Sequence, residues 1–273
     1  MRNIRIICML SASFLFTSPC AGRAGVLAIP GTGACEDVLK SVAAEYERSH
    51  PMSRVEIPPS VHSEGGIRQV INGETALARV SRPLTPSEAG KDLVYRVFAR
   101  DAVVFAVGSS VRARSLTIPQ IMGIFSGAVD RWDDLNGGKG PIRVLLREEG
   151  DASLTALRKR YAEFRDLRFT SLGKTLYHDR EMAEMLQKYR NSIGFATLSS
   201  LGAANATVIP LAIDGIPATR ETVSSGRYPV RIEYALVHRK DDLPPEAREF
   251  IDFLFSEAGR KVLSDNGLHP PER

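Results

Sequence analysis

Three short turns rich in glycine, serine and threonine recur along this chain, and arginine lies in or beside two of them. They occupy residues 31–36, residues 63–68 with Ser81-Arg82 beyond them, and residues 147–153. Each is predicted at or just before a helix start, where backbone N–H groups lack partners and the helix dipole is positive. Glycine lets such a backbone approach a ligand closely, and hydroxyl groups add donors. One such turn is more typical of a helix cap, but several that converge would bind a small anion.

The arginines strengthen this interpretation. Arg82 and Arg147 each follow a predicted strand directly, and a guanidinium fork matches the geometry of a tetrahedral oxyanion. Arg68 is predicted on a solvated helix face. The alternative for Arg82 and Arg147 is an ion pair between lobes, with Glu64 or Glu149.

Other kinds of site have little support in the sequence. The five histidines are scattered without ligand spacing, and no nucleophile motif or complete phosphate-binding loop is present. Cys35 lies at a predicted helix start, where a thiol can have a lowered pKa, although simple packing is the alternative. We therefore expect no enzyme activity, no metal and no cofactor.

The first 24 residues have the pattern of an export signal. Arg2 and Arg5 precede an apolar run at residues 6–16 that is too short to span a bilayer, and Gly22-Arg23-Ala24 offers a cleavage site. We expect export to the periplasm as a soluble protein, with a lipoprotein anchored at Cys20 as the alternative. Cleavage would leave Cys35 as the only cysteine, so no internal disulfide is expected.

The charge of the chain argues against a nucleic-acid partner. Its formal net charge is +4, and the export signal carries three arginines and no acidic residue, so the mature chain has about +1. Such a nearly neutral chain lacks the electrostatic footprint of a nucleic-acid-binding protein.

Apolar runs alternate with amphipathic stretches along the chain, which predicts an α/β architecture. Two consecutive strands are predicted at residues 93–98 and 102–107, and one helix at about 153–164. Another helix is predicted to begin at the Gly65-Gly66 turn. A single C-terminal helix is predicted to open at Pro244-Pro245-Glu246 and end at Asn266-Gly267. No long linker divides the chain, which fits two lobes joined by crossing strands.

The motifs, taken in order, resemble the phosphate-binding components of ABC transporters. The resemblance covers residues 26–270 and rests on several short motifs that are individually weak. They are Gly-x-Gly at 31–33, Ser-x-Gly-Gly-Ile-x-Gln at 63–69, Ser-Arg-Pro-Leu-Thr at 81–85, Ile-Phe-Ser-Gly at 124–127, Arg-Trp-Asp-Asp-Leu at 131–135, Asn-Ser-Ile-Gly-Phe at 191–195 and the C-terminal segment from Pro245.

The resemblance implies an α/β, two-lobed periplasmic binding protein fold of type II, in which each lobe is a mixed sheet flanked by helices. We expect residues 25–100 and 232–273 to form one lobe and residues 101–231 the other. Phosphate or a similar oxyanion would bind between them and pass to a membrane permease and its ATPase. The protein is expected to be a monomer; the alternative role is an oxyanion-binding module for sensing or adhesion.

The resemblance also implies binding residues. The expected set comprises Gly33, Ala34, Cys35, Ser63, Ser81, Arg82, Arg147, Asp151, Ala152 and Ser153. Well-studied members have an aspartate at the Ser81-Arg82 position, where it accepts the proton of hydrogen phosphate. Asp151 replaces a serine of the family and would supply that acceptor from the opposite lobe, whereas Cys35 is a poorer donor than the family's threonine. Phosphate is the expected ligand, with tungstate, molybdate, sulfate or a phosphorylated small molecule as alternatives.

Overall fold

A computed structural model of the chain describes residues 25–204 and 207–271, so the predicted export signal lies outside the described residues. The strands are β1 Val26–Ala28, β2 Arg54–Glu56, β3 Ala78–Val80, β4 Leu93–Val107, β5 Ser115–Leu116, β6 Arg143–Arg147, β7 Lys174–Leu176, β8 Ser192–Thr197, β9 Ile209–Pro210, β10 Ala212–Ile213 and β11 Arg231–Arg239.

The helices alternate with these strands, as the sequence pattern predicts. They are α1 Glu36–Ser49, α2 His62–Asn72, α3 Pro86–Ala89, α4 Ile118–Ser126, α5 Ala152–Arg160, α6 Ala162–Arg165, α7 Asp179–Lys188, α8 Leu198–Ala203, α9 Arg220–Ser224, α10 Pro245–Phe255 and α11 Glu257–Asp265. Within the described ranges, no helix combines the length and apolar character that crossing a membrane requires.

A mixed seven-stranded sheet runs through the molecule in the order β3-β11-β4-β8-β6-β7, and β9 also pairs with β4. The long strand β4 is antiparallel to β11 through Ala102 and antiparallel to β8 from Val103 onward. The chain thus folds into two lobes, because the elements packed on β11 and β3 form one half and those packed on β8, β6 and β7 form the other. The α/β class and the crossing strands expected from the sequence are confirmed.

A buried polar network lies where β4 changes its pairing partner. The Asp101 carboxylate accepts a 2.5 Å hydrogen bond from the Ser199 hydroxyl at the start of α8. The Tyr234 hydroxyl on β11 lies 3.3 Å from the same carboxylate and 3.2 Å from the carbonyl oxygen of Ala34. Burial raises the pKa of Asp101 to about 6. This network connects elements of both lobes to the first glycine-rich turn.

Several element boundaries differ from the sequence predictions. The two predicted strands at 93–98 and 102–107 are one strand, β4, because the intervening Arg100 and Asp101 continue the pairing with β11. The predicted helix at 153–164 is divided at Tyr161, whose backbone is extended. The C-terminal helix is divided at Ser256, which caps α11 with its side chain.

The second glycine-rich motif is not a turn before a helix. Helix α2 begins at His62, so Gly65 and Gly66 lie inside its first turns. A Cβ atom at Gly66 would lie 2.9 Å from the Gly31 Cα, which shows that this glycine allows close packing of α2 on the first turn. Gly31 itself has a φ of 143°, and a side chain there would collide with the Arg79 carbonyl group.

The buried side chain of Arg79, on β3, connects two loops of the first lobe, the β1–α1 loop and the β2–α2 loop. Its guanidinium donates to the carbonyl oxygens of Thr32 at 2.7 Å, Pro58 at 2.7 Å and Ile29. Its carboxylate partner is Glu36, at 3.4 Å in the first turn of α1. Burial lowers the pKa of Arg79, while neighbouring Glu36 acts in the opposite direction. The fully buried cation therefore fixes the backbone that leads into the first turn.

Replacing Arg79 with methionine should lower the free energy of unfolding by about 3 kcal/mol or more, because three buried carbonyl groups lose their donor. Urea denaturation followed by circular dichroism measures the change. The matched control is Arg54→Met on strand β2, where the side chain is 61% exposed and its carboxylate partner lies 3.7 Å away. Equal stabilities of the two variants would show that Arg79 does not hold these loops.

Candidate functional site

Three hydroxyl side chains from separate segments meet beside the first turn, and we call Thr32, Ser63 and Ser81 the hydroxyl cluster. The Ser63 Oγ accepts a 3.1 Å hydrogen bond from the backbone N–H of Ser81. The Ser81 hydroxyl donates to the Thr32 Oγ1 at 3.0 Å, and Thr32 also accepts from the Ala34 N–H at 3.4 Å. Thr32 acts only as an acceptor in these bonds, so its own proton is available to an anion.

Two adjoining cavities open beside the hydroxyl cluster, and Thr32, His62 and Ala152 line both of them. The first has a volume of about 890 Å³, and we call it the basic cavity; its charged lining residues are Arg68, Arg82, Lys159, Arg160, Arg231, Glu64, Glu149 and Glu233. The second has about 750 Å³, and we call it the acidic cavity; its charged lining residues are Lys40, Arg147, Arg180, Glu36, Asp37, Glu148, Asp151, Asp179, Glu181 and Glu184. Both cavities are lined by elements of the two lobes, so the site is a cleft between them.

Arg147, the last residue of β6, lies in the acidic cavity between two carboxylates. One guanidinium nitrogen is 3.0 Å from Asp151, and another pairs with Asp179 at the start of α7. The Arg147 side chain is only 4% exposed. Neither of the carboxylates considered as partners between lobes, Glu64 and Glu149, pairs with Arg147, and Glu149 pairs instead with Arg158. This three-residue group carries one net negative charge when both carboxyls are ionised.

Asp151 also caps helix α5. Its Oδ1 accepts a 2.9 Å hydrogen bond from the backbone N–H of Leu154, while its other oxygen faces Arg147. Burial raises the pKa of Asp151 to about 6, and Asp179 adds to that rise, whereas Arg147 opposes it. The cap and the ion pair are therefore both formed, and the carboxyl can change its protonation state close to neutral pH.

The fork of Arg82, which lines the basic cavity, is engaged by a carboxylate. Its two terminal nitrogens donate to the two oxygens of Glu88 at 2.7 and 2.8 Å. These hydrogen bonds lower the pKa of Glu88 to about 2. Glu88 is held there by the capping box of α3, in which Thr85 is the cap. The ion pair that Arg82 forms is therefore with Glu88, and not with Glu64 or Glu149, whereas its expected oxyanion contact stays a prediction.

Cys35 and Ser153 are buried and line neither cavity. Burial raises the pKa of the Cys35 thiol to about 12, which is opposite to the lowered pKa considered for a helix start. The Cys35 thiol is therefore a packed, protonated group. Within the described residues the Ser153 hydroxyl has no hydrogen-bond partner.

The other eight predicted residues divide between the two faces of one cleft. Ser63, Ser81 and Arg82 line the basic cavity, whereas Gly33, Ala34, Arg147 and Asp151 line the acidic cavity, and Ala152 lines both. Their ligand contacts stay predictions. Sequence reasoning missed Thr32, which the Gly-Thr-Gly turn could have indicated, and Asp179, which no motif marks.

Comparisons with known proteins agree with this architecture. A family described as the PBP superfamily domain matches residues 18–258. The phosphate-binding protein PstS of Borreliella burgdorferi is 22% identical over 274 residues, covering 97% of each chain.

Two solved structures have the same fold. One is from Clostridium perfringens and is described as a phosphate ABC transporter substrate-binding protein with bound phosphate. Its TM-score is 0.80 at 24% identity, over 91% of this chain and all (100%) of that one. The other is an ABC-type phosphate transport receptor from Vibrio cholerae, with a TM-score of 0.71 at 22% identity, covering 90% of this chain and 100% of the receptor. Because the family match extends over most of its 273 residues, the protein belongs to the PBP superfamily.

Proposed function

We propose that the protein captures phosphate in the cleft between its lobes and delivers it to an ABC transporter. The observation that carries the proposal is the hydroxyl cluster, which gathers Thr32, Ser63 and Ser81 from three separate segments. Hydroxyl groups and backbone N–H groups can donate hydrogen bonds to a small oxyanion. Such a site can bind the anion without a cation in contact with it. The names of the relative from Borreliella burgdorferi and of the two structural neighbours support phosphate as the ligand.

The remaining contacts in this proposal come from the opposite lobe. The N-terminus of α5 at Ala152 lies beside both cavities, and Asp151 and Arg147 adjoin it. Closure of the lobes about the crossing strands β4 and β11 would bring these groups to an anion held by the hydroxyl cluster. The fork of Arg82 is not part of the proposed contact set, because Glu88 occupies it.

The proposal extends to the cellular role. The protein acts as a monomeric binding protein in the periplasm, with a membrane permease and an ATPase as partners. It binds its ligand without a catalytic step. The raised pKa of the Cys35 thiol supports this part, because a protonated, buried thiol is a poor nucleophile.

Replacing Ser63 with alanine should weaken phosphate binding roughly tenfold to a hundredfold, since one hydrogen bond to a charged ligand is lost. Calorimetric titration with phosphate measures the change. Ser87→Ala is the matched control, because Ser87 is an exposed serine on α3 outside both cavities. Unchanged phosphate affinity in folded Ser63→Ala protein, or no phosphate binding by the wild type, would contradict the proposed site.

Asp151 should determine how the protein distinguishes phosphate from sulfate. Above about pH 6 its carboxylate is charged, so it accepts the proton of hydrogen phosphate and repels sulfate, which has none. Below about pH 6 the carboxyl is neutral and can donate a hydrogen bond. Sulfate affinity of the wild type should therefore rise about tenfold as the pH falls from 8 to 5. Calorimetry with sulfate at several pH values measures this dependence.

The matched variant is Asp151→Asn, which keeps a side chain able to cap α5. It should bind sulfate more tightly than the wild type at pH 8 and show little dependence on pH. Asp179→Asn, which changes the other carboxylate on Arg147, should retain a pH dependence but with its midpoint at lower pH, because the Asp179 charge that raises the Asp151 pKa is gone. If the wild type and Asp151→Asn respond alike to pH, Asp151 is only a cap and the selectivity has another source.

A further inference from the structure

The two sides of the cleft carry opposite charge. Five basic and three acidic residues line the basic cavity, which gives a formal charge of +2 with histidine neutral. Three basic and seven acidic residues line the acidic cavity, which gives −4 with all carboxyls ionised. Because the cavities adjoin at Thr32, His62 and Ala152, an anion that approaches the hydroxyl cluster meets very different fields from the two sides.

Ion pairing makes the basic cavity more positive than its formal charge suggests. Within the described part of the chain, Arg68, Lys159, Arg160 and Arg231 form no ion pair, although Arg231 donates to the Val223 carbonyl oxygen at 3.2 Å. All four are exposed. They therefore present uncompensated positive charge to solvent at the mouth of this cavity.

The acidic residues of the basic cavity are mostly neutralised from outside it. Glu149 pairs with Arg158 at 2.5 Å, and Glu233 pairs with Arg100 at 2.9 Å; neither arginine lines the cavity. Arg82, in turn, is compensated by Glu88. Among the described lining residues, four unpaired cations thus stand against one unpaired carboxylate, Glu64.

We infer that phosphate enters the cleft through the basic cavity, and that Arg68, Lys159, Arg160 and Arg231 speed its capture by electrostatic steering. Steering acts on the approaching dianion and raises the association rate, whereas the bound ion is held by the hydroxyl cluster. The acidic cavity repels the same ion, so the opposite side of the cleft contributes little to capture. This inference rests on the proposed function, since it assumes that the anion binds at the hydroxyl cluster.

The test is the association rate of phosphate at several ionic strengths, measured by stopped-flow fluorescence. A dye on Tyr177→Cys reports binding from the rim of the acidic cavity, in the chain that begins after the predicted export signal and so lacks Cys8 and Cys20. Cys35 can stay, because its buried, protonated thiol resists labelling. The steering variant is Lys159→Ala combined with Arg160→Ala.

The matched control removes the same charge from the other side of the cleft, by Lys40→Ala combined with Arg180→Ala in the acidic cavity. At low ionic strength the steering variant should bind phosphate about threefold to tenfold more slowly than the wild type, with the dissociation rate unchanged. The difference should vanish at about 1 M salt, where charges are screened within a few ångströms. The control should remain within about twofold of the wild type.

Three outcomes would overturn the inference. Equal slowing in both double variants would show that net charge alone matters, and a change confined to the dissociation rate would make Lys159 and Arg160 ligand contacts. An unchanged association rate would remove any role in capture. Failure of the proposed function is distinguishable from all three, because the wild type would then show no phosphate binding by calorimetry.

Discussion

The cleft depends on one buried cation, Arg79. Its guanidinium donates to the carbonyl oxygens of Ile29, Thr32 and Pro58, so the β1–α1 and β2–α2 loops are held by one side chain. Thr32 is therefore anchored through its carbonyl group while its hydroxyl joins Ser81. A buried guanidinium needs an acceptor for each of its N–H groups. Arg79 finds one in the Thr32 carbonyl oxygen, and this bond helps to orient the Thr32 hydroxyl at the wall of the cleft.

Arg82 and Arg147, two arginines of the predicted site, each form ion pairs with carboxylates of their own lobe. Arg82 is bound by Glu88 through both terminal nitrogens, and Arg147 is held by Asp151 and Asp179. These carboxylates compensate the charge of both arginines. They also mean that attraction of an anion over long range must come from other side chains, which is the role inferred for the unpaired cations of the basic cavity.

The sequence predicted the fold well because periodicity and caps determine it locally. The α1 residues Val38, Leu39, Val42, Ala43 and Tyr46 recur at helical spacing and are all buried. Thr117 caps α4 through a capping box with Gln120, as a hydroxyl before an early proline indicates. The start of α2 was misplaced, because Gly65 and Gly66 were interpreted as a turn although they serve helix packing on Gly31.

The candidate site was predicted less completely, because pairing between distant residues leaves no local signal. Nothing in the spacing of Arg147 and Asp179, 32 positions apart, shows that they form an ion pair. Likewise, position at a helix start favours a low thiol pKa for Cys35, but tertiary burial outweighs the helix dipole and raises it. Local sequence identifies which groups approach the cleft, whereas only the packed structure decides their protonation and their partners.

The charge arrangement has a consequence for binding strength. A site built from free arginines would hold any oxyanion tightly and with little discrimination, since Coulomb attraction does not distinguish hydrogen phosphate from sulfate. Here the charged group of the acidic cavity, Arg147 with Asp151 and Asp179, carries a net negative charge when both carboxyls are ionised, and neutral hydroxyls are the proposed donors beside it. An anion must therefore be recognised by its pattern of donors and acceptors, and the proton of hydrogen phosphate is the feature that matches a carboxylate. In the proposed mode of binding, attraction and recognition are thereby separated in space, with attraction from the exposed cations of the basic cavity and recognition from the buried groups between the lobes.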